Sequence, residues 1–255
     1  MRLEWDYSAS VEAYAKRPGY PEEAVDDCLR VTELPAGTRA CDVGAGTGNL
    51  TLPLVRRGFD VVAVEPNRAM RHRGRERTQP HRNVRWVSAV AESLPVRSGT
   101  LGFVGFGSSF NVTDRMRSLD ESARVLRPEG WLLCLWNHRC LDDPLQARIE
   151  ELIHRSVPDY RYGSRREDPT SSIEESGWFD RIEPIEQPFV SVMSVEDFLR
   201  AWEAHATLSR QAGKRLSEIL AGIAELLDAR GTDPIAVPYV TRAWVARRNG
   251  RSTRA

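Results

Sequence analysis

The sequence predicts an α/β fold in which a mostly parallel, doubly wound sheet of seven strands carries helices on both faces. Three observations predict it. Short apolar runs alternate five times with helix-patterned stretches, joined by brief connections. The run Val61–Val64 is wholly apolar, as a central parallel strand covered on both faces requires. Asp42, Glu65, Ser108 and Asn137 each fall at the carboxyl end of a predicted strand, the edge where such sheets bind ligands.

Residues 1–35 read as a helical segment. Tyr7, Val11, Tyr14 and Ala15 share one face, Pro18-Gly19 stops the run, and a second helix starts near Pro21 with Ala24, Val25, Cys28 and Leu29 on its apolar side. Strand one is Ala40–Val43, followed by a glycine turn and a helix that Gly58 ends. Strand two runs Val61–Glu65, and Asn67 is placed to cap the arginine-rich helix after it. Strand three is Val84–Val87 and strand four Leu101–Phe106; a helix to Leu126 is stopped by Pro128 and Gly130 before strand five, Trp131–Trp136. Beyond it the pattern gives a helix at 142–156, a polar stretch at 158–170 too charged for a core, and strands near 181–192 and 237–246 flanking helices at 195–204 and 208–229. The expected organisation is one domain, 1–255. It divides into a lid (1–35), a binding core (36–140), a cover with helices (141–235), a final strand (236–246) and a frayed basic tail (247–255).

A chain of 255 residues can bury a sizeable core. Its formal net charge is zero, so no global field draws it to nucleic acid or membrane. No apolar run reaches the length of a membrane span and no secretory core opens the chain, so a cytoplasmic location is expected. Cys28, Cys41, Cys134 and Cys140 are scattered, which reads as reduced thiols. No paired Cys/His spacing suggests a metal.

The stretch Ala40–Thr51 carries the chemistry. Gly44, Gly46 and Gly48 alternate after the strand end at Asp42, and a helix opens behind them. Such a turn lets a ligand approach the main chain, and the helix start offers free N–H groups. A dinucleotide fingerprint requires a small third residue where Asn49 stands. Glu65, at the end of strand two, can accept bonds from both hydroxyls of a ribose.

These residues resemble the class I S-adenosylmethionine-dependent methyltransferases, especially the small-molecule group that includes the ubiquinone/menaquinone and trans-aconitate enzymes. Ala13-Tyr14 through Arg17-Pro18-Gly19-Tyr20-Pro21 is similar to that group's lid segment, and Asp42-Val43-Gly44-Ala45-Gly46-Thr47-Gly48 to its cofactor loop. Glu65-Pro66-Asn67 with Met70 resembles the ribose-binding segment, Ala91-Glu92-Ser93-Leu94-Pro95 the adenine-side loop, and Ala123–Trp131 the approach to strand five. Where many relatives carry an adenine-binding aspartate, this chain has Val90.

The resemblance implies a Rossmann-like fold and S-adenosyl-L-methionine as cofactor, giving S-adenosyl-L-homocysteine. The implied cofactor contacts are Tyr14, Arg17, Asp42, Gly44, Ala45, Gly46, Gly48, Asn49, Glu65, Pro66, Met70, Ala91, Glu92 and Ser108. Methyl transfer chiefly needs alignment and exclusion of water. If a base is used, His138 and His205 are the candidates, although a structural histidine satisfied by a backbone carbonyl is the favoured reading of each. For the acceptor the candidates are Asn111, Asn137, Arg139, Tyr162, Arg165 and Arg166; Asn111, Asp114 and Asn137 could instead cap helices. The arginines suit an anionic acceptor, or ion pairs with Glu167 and Asp168. The reading is a methyltransferase acting on oxygen or nitrogen of a small molecule. Its rivals are a quinone C-methyltransferase, an RNA methyltransferase or RNA-binding protein using the arginines near 68–85, and a fold relative, such as a cyclase, with other chemistry.

Overall fold

The computed structural model describes residues 11–12 and 16–251. Tyr14, expected in the lid, lies outside them, as do Tyr7, Ala15 and residues 252–255. The first full helix is α1 (Glu22–Thr32). Then come β1 (Arg39–Val43), α2 (Thr51–Arg56), β2 (Asp60–Val64), α3 (Arg68–Thr78) and β3 (Val84–Val87), and a connection without a helix leads from β3 to β4 (Leu101–Gly107). They are followed by α4 (Arg115–Val125), β5 (Leu126–Arg139), α5 (Pro144–Ser156), α6 (Thr170–Glu175) and β6 (Phe179–Met193). The chain closes with α7 (Val195–Glu203), α8 (Ala206–Ala212), α9 (Leu216–Asp228) and β7 (Ile235–Arg248).

The seven strands form one sheet in the order β3-β2-β1-β4-β5-β7-β6. All neighbours are parallel as far as β5, and β7 runs antiparallel to both β5 and β6. The chain winds outward from β1 to β3, then returns to place β4 on the other side of β1. That reversal opens a crevice at the carboxyl ends of β1 and β4, the position at which doubly wound sheets bind ligands.

Local signals account for most boundaries. Asn67 caps α3, its Oδ1 accepting from the N–H groups of Ala69 (2.9 Å) and Met70 (3.0 Å). Asp143 caps α5 in the same way through Leu145 and Gln146. In β4 every residue before Gly107 is buried, and Phe103 and Phe106 pack on opposite faces of the sheet.

Four expectations are corrected. The helix expected at 208–229 is two helices, because Gly213 sits at φ 53° and breaks the hydrogen-bond ladder. Strand five starts at Leu126 rather than Trp131: Leu126 is already extended (φ −69°, ψ 138°) and pairs with Leu101 before an irregularity at Glu129. The polar stretch 158–170 does contribute to a core, since Tyr160 is only 4 % exposed and packs beside Ile149 and Ile153. The tail does not fray at 247. Arg247 and Arg248 complete β7, and the Asn249 N–H donates to the Trp178 carbonyl at 2.9 Å.

The sheet packs a core on each face, and a further core lies apart from them. There α5, α7, α8 and α9 pack with Ile235 and Val237 at the start of β7. Each large apolar side chain so buried contributes about 1.5–3 kcal/mol, enough to hold these helices as a cap beside the crevice. The four cysteines are free thiols.

Candidate active site

A pocket opens where the crevice meets the cap. Its floor comes from the sheet and the glycine turn: Asp42 near the end of β1 and Ala45 just after it, Thr47, Asn49 and Leu50 leading into α2, and Gly107-Ser108 at the end of β4. Asn137 and Arg139 enter from the end of β5 and Tyr239 from β7. Phe198, Trp202 and His205 enter from the cap, and Arg17, Pro18 and Tyr20 from the segment before α1.

The turn is held rigidly. Gly44 and Gly48 lie at φ 66° and 87°, and a Cβ on Gly44 would stand 2.6 Å from Cβ of Ser109. The Glu65 carboxylate accepts from the N–H groups of Gly46 and Asn67, both at 2.8 Å, tying the turn to the end of β2. Burial raises the Glu65 pKa, against those two hydrogen bonds. From α3, Arg77 Nη1 donates to the Thr47 carbonyl (2.8 Å), Thr47 Oγ1 (3.2 Å) and Asn49 Oδ1 (2.7 Å). Sequence reasoning missed Arg77. Its signal was present only as one arginine among several on a polar helix, with nothing to show which of them turns inward.

Asp42 is fully buried. Its Oδ2 accepts from Thr51 Oγ1 at 2.6 Å, while Oδ1 has no hydrogen-bond partner. Desolvation lifts its pKa to about 7, the Thr51 hydrogen bond opposing. A buried, unpaired carboxylate oxygen beside a pocket is a receptor for a cationic or hydrogen-bond-donating group. Such an oxygen fits the ammonium group at the amino-acid end of S-adenosylmethionine. Ser108, a non-glycine residue at φ 58°, adds a strained backbone at the same place, its Oγ 2.9 Å from the Tyr20 hydroxyl.

The opposite wall is cationic. The Arg139 guanidinium carbon lies over the Trp202 ring, 3.5 Å from its centre, and Arg165 makes one long contact of 3.5 Å to the Asn137 carbonyl. Arg17 donates to the Ala204 carbonyl at 2.6 Å. The ion pairs that the sequence offered Arg165 and Arg166 do not form: Glu167 pairs with Arg115 at 3.0 Å, and Asp168 Oδ1 accepts from the Thr170 N–H. Asp42 is the one acid among the described residues lining the pocket.

Several candidates lie outside the pocket. Glu65, Pro66, Met70, Ala91 and Glu92 do not line it; Glu92 Oε1 instead accepts from the Asp114 N–H at 2.9 Å. Asn111 Oδ1 is taken by Trp136 Nε1 at 2.9 Å. Tyr162 donates to Glu150, and Arg166 stacks over Tyr162 at 4.4 Å while holding the Arg139 carbonyl at 3.1 Å. Tyr162 and Arg166 thereby support the Arg139 end of β5 from outside the pocket. Asn137 links elements within it, donating to the Gly19 carbonyl (2.9 Å) and accepting from Thr241 Oγ1 (2.8 Å).

Neither histidine presents a free lone pair to the pocket. His138 is buried and does not line it; burial, then the charges of Arg165, Arg166 and Arg242, push its pKa down to about 3. His205 does line it, but its Nδ1 caps α8, accepting from the Leu208 N–H at 3.2 Å. Burial and the charges of Arg139, Arg17 and Arg165 hold the ring well below its ordinary pKa. A neutral imidazole whose Nδ1 accepts carries its proton on Nε2, so His205 is a donor here and not the base that its position suggested.

The methyltransferase-domain family profile matches residues 41–134, which run from β1 to β5. An uncharacterized methyltransferase of Mycobacterium tuberculosis is 30% identical over 240 residues, covering 92% of each chain. The ubiquinone/menaquinone biosynthesis C-methyltransferase of Coxiella burnetii is 30% identical over 156 residues, covering 54% of this chain and 62% of its own. Among solved structures, phosphoethanolamine N-methyltransferase 2 of Haemonchus contortus, in complex with S-adenosyl-L-methionine, superposes with a TM-score of 0.57 at 17% identity, covering 95% of this chain and 57% of the other. No helix among the described residues is long and apolar enough to cross a membrane.

Proposed function

The chain belongs to the class I S-adenosylmethionine-dependent methyltransferases, and from that premise we propose that it methylates an oxygen or nitrogen of a small, anionic acceptor. One observation carries the reading. Arg139 and Arg165, neither in an ion pair, face into the same pocket as Asp42, Ala45 and Asn49 of the glycine turn. Guanidinium groups without a protein acid suit a carboxylate or similar anion delivered by the ligand.

When bound, S-adenosylmethionine supplies an activated methyl group. On the loop side, Asp42 Oδ1 receives a donor, Ala45 lines the approach, and Glu65 keeps lone pairs for hydroxyls beyond the two that it spends on Gly46 and Asn67. Arg17 offers a cation to the cofactor's carboxylate. On the cap side, Phe198, Trp202 and Tyr239 exclude water and hold the acceptor at a fixed distance, which supplies much of the acceleration. Tyr14 and Met70 are proposed as further cofactor contacts on the resemblance alone.

The rivals find less support. The match to the quinone C-methyltransferase spans 54% of the chain. Two of the arginines proposed for RNA are committed within the fold: Arg71 bonds the Glu65 carbonyl at 2.6 Å and Arg77 holds Thr47 and Asn49 of the glycine turn. A labelled-methyl screen against small-molecule extracts tests the reading. Label in a low-mass product derived from an anionic acceptor is expected; label in RNA, or S-adenosylhomocysteine binding with no methyl transfer at all, refutes it.

A further inference from the structure

Arg139 and Arg165 leave open which atom of the acceptor takes the methyl group. Three guanidinium groups border the pocket: Arg139 on Trp202, Arg165 against the end of β5, and Arg17 beside the end of α7. An aliphatic amine is an ammonium ion at neutral pH, so this wall repels it, and before it could act as a nucleophile it would have to give up a proton. Among the described lining residues, the side chains that could take up a proton are Asp42 and His205. The His205 lone pair is spent on the Leu208 N–H, and its free edge is an N–H donor. Asp42 belongs to the glycine turn and already accepts from Thr51 on one oxygen. The cap side therefore offers donors and cations, namely Arg139, Arg165 and His205 Nε2–H, and no proton acceptor matched to a neutral hydroxyl or an ammonium.

From this arrangement we infer that the acceptor is a carboxylic acid, bound in its ionised form by Arg139 and Arg165 and methylated on a carboxylate oxygen without a protein base. The inference rests on the proposed methyl transfer and decides between oxygen and nitrogen. The ionised oxygen gives its electron pair to the new O–CH₃ bond, the pair of the S–CH₃ bond leaves with sulfur, and no proton moves. An anion and a sulfonium become two neutral molecules, a change that a poorly hydrated pocket favours. His205 Nε2–H and the guanidinium groups orient the carboxylate; they need not gain or lose a proton.

The test uses matched sets of aromatic and aliphatic carboxylic acids, their primary amides and the amines of the same skeletons. Calorimetry first measures binding of each compound to the enzyme saturated with S-adenosylhomocysteine. Acids bind and the matched amines and amides do not. Arg139→Met and Arg165→Met each weaken acid binding at least tenfold, the Arg→Lys variants recover part of it, and S-adenosylhomocysteine affinity stays within twofold throughout. With labelled S-adenosylmethionine, acids then give a product from which mild alkali releases labelled methanol, as a methyl ester must. Amines binding as well as acids, a base-stable methylated product, or no acid bound or methylated by enzyme that does bind S-adenosylhomocysteine overturns the inference while leaving the methyltransferase reading standing. Failure to bind S-adenosylhomocysteine overturns both.

Discussion

Asp42→Asn is the most informative single substitution, because the structure gives it opposite effects on stability and on binding. Asp42 has an ordinary pKa of 3.8 and is raised by desolvation to about 7 in the fold. Between those pH values the folded chain keeps a proton that the unfolded chain has released. Stability therefore falls as pH rises through this interval, and the loss is complete above about pH 7. At about 1.4 kcal/mol per pH unit the interval corresponds to a cost of about 4 kcal/mol. Asparagine has the shape of the protonated acid, can still accept from Thr51, and never ionises. The variant is thus expected to be more stable than the parent by about 4 kcal/mol at pH 8 and by only about 1.5 kcal/mol at pH 5. Urea unfolding at the two pH values, without ligand, measures this. S-adenosylhomocysteine affinity should fall at least tenfold, because the receptive Oδ1 is replaced by an N–H₂ donor. A variant whose stability advantage is no larger at pH 8 than at pH 5 would refute the reasoning, since Asp42 would then not be a suppressed carboxylate.

Two further substitutions probe the scaffold. Arg77→Met removes the donor shared by Thr47 and Asn49, and should cost about 2 kcal/mol of stability and roughly tenfold in S-adenosylhomocysteine affinity, with Arg77→Lys intermediate in calorimetry. Gly74→Ala should run against helix propensity. Alanine is ordinarily better by about 1 kcal/mol in a helix, but here its Cβ would stand 2.1 Å from the Trp86 ring, which Thr78 fixes through Nε1 at 2.9 Å. A fall of about 1–3 kcal/mol is expected from overpacking, read as a lower melting temperature.

The sheet was legible because its signals are local. Apolar runs bounded by turn residues mark β1 to β4, and Asn67 announces its helix by its own side chain. The errors arose where tertiary context decides. Gly213 breaks a helix whose apolar spacing continues on both sides of it. Tyr160 lies in a charged stretch, and only the folded cap shows that its ring is buried against Ile149. β7 reaches Arg248 because it is paired on both edges, information that sequence spacing does not contain. The site divides in the same way. Asp42, Asn49, Asn137, Arg139 and Arg165 line the pocket as polar residues near strand ends or on the loop over them, whereas Arg77, Phe198, Trp202 and Tyr239 lacked any motif to expose them. His205 was visible as a histidine but not as a cap, because which nitrogen is occupied depends on the turn that it begins.

The placement of β7 has a bearing on how this enzyme could be re-engineered. The chain leaves the sheet after Arg139, adds β6 at its edge and returns beside β5 with β7, and the Cys140 N–H donates to the Pro238 carbonyl at 3.1 Å, so departure from β5 and return in β7 lie side by side on paired strands. Exchanging only the cap helices for those of a relative would cut α7 to α9 from Ile235, Val237 and Tyr239, which complete their core. A viable chimera should take residues 140 to 248 as one block, with β6 and β7 included. Its junction then falls at the end of β5, and the transplanted strand must re-form its register against Trp131 to Arg139.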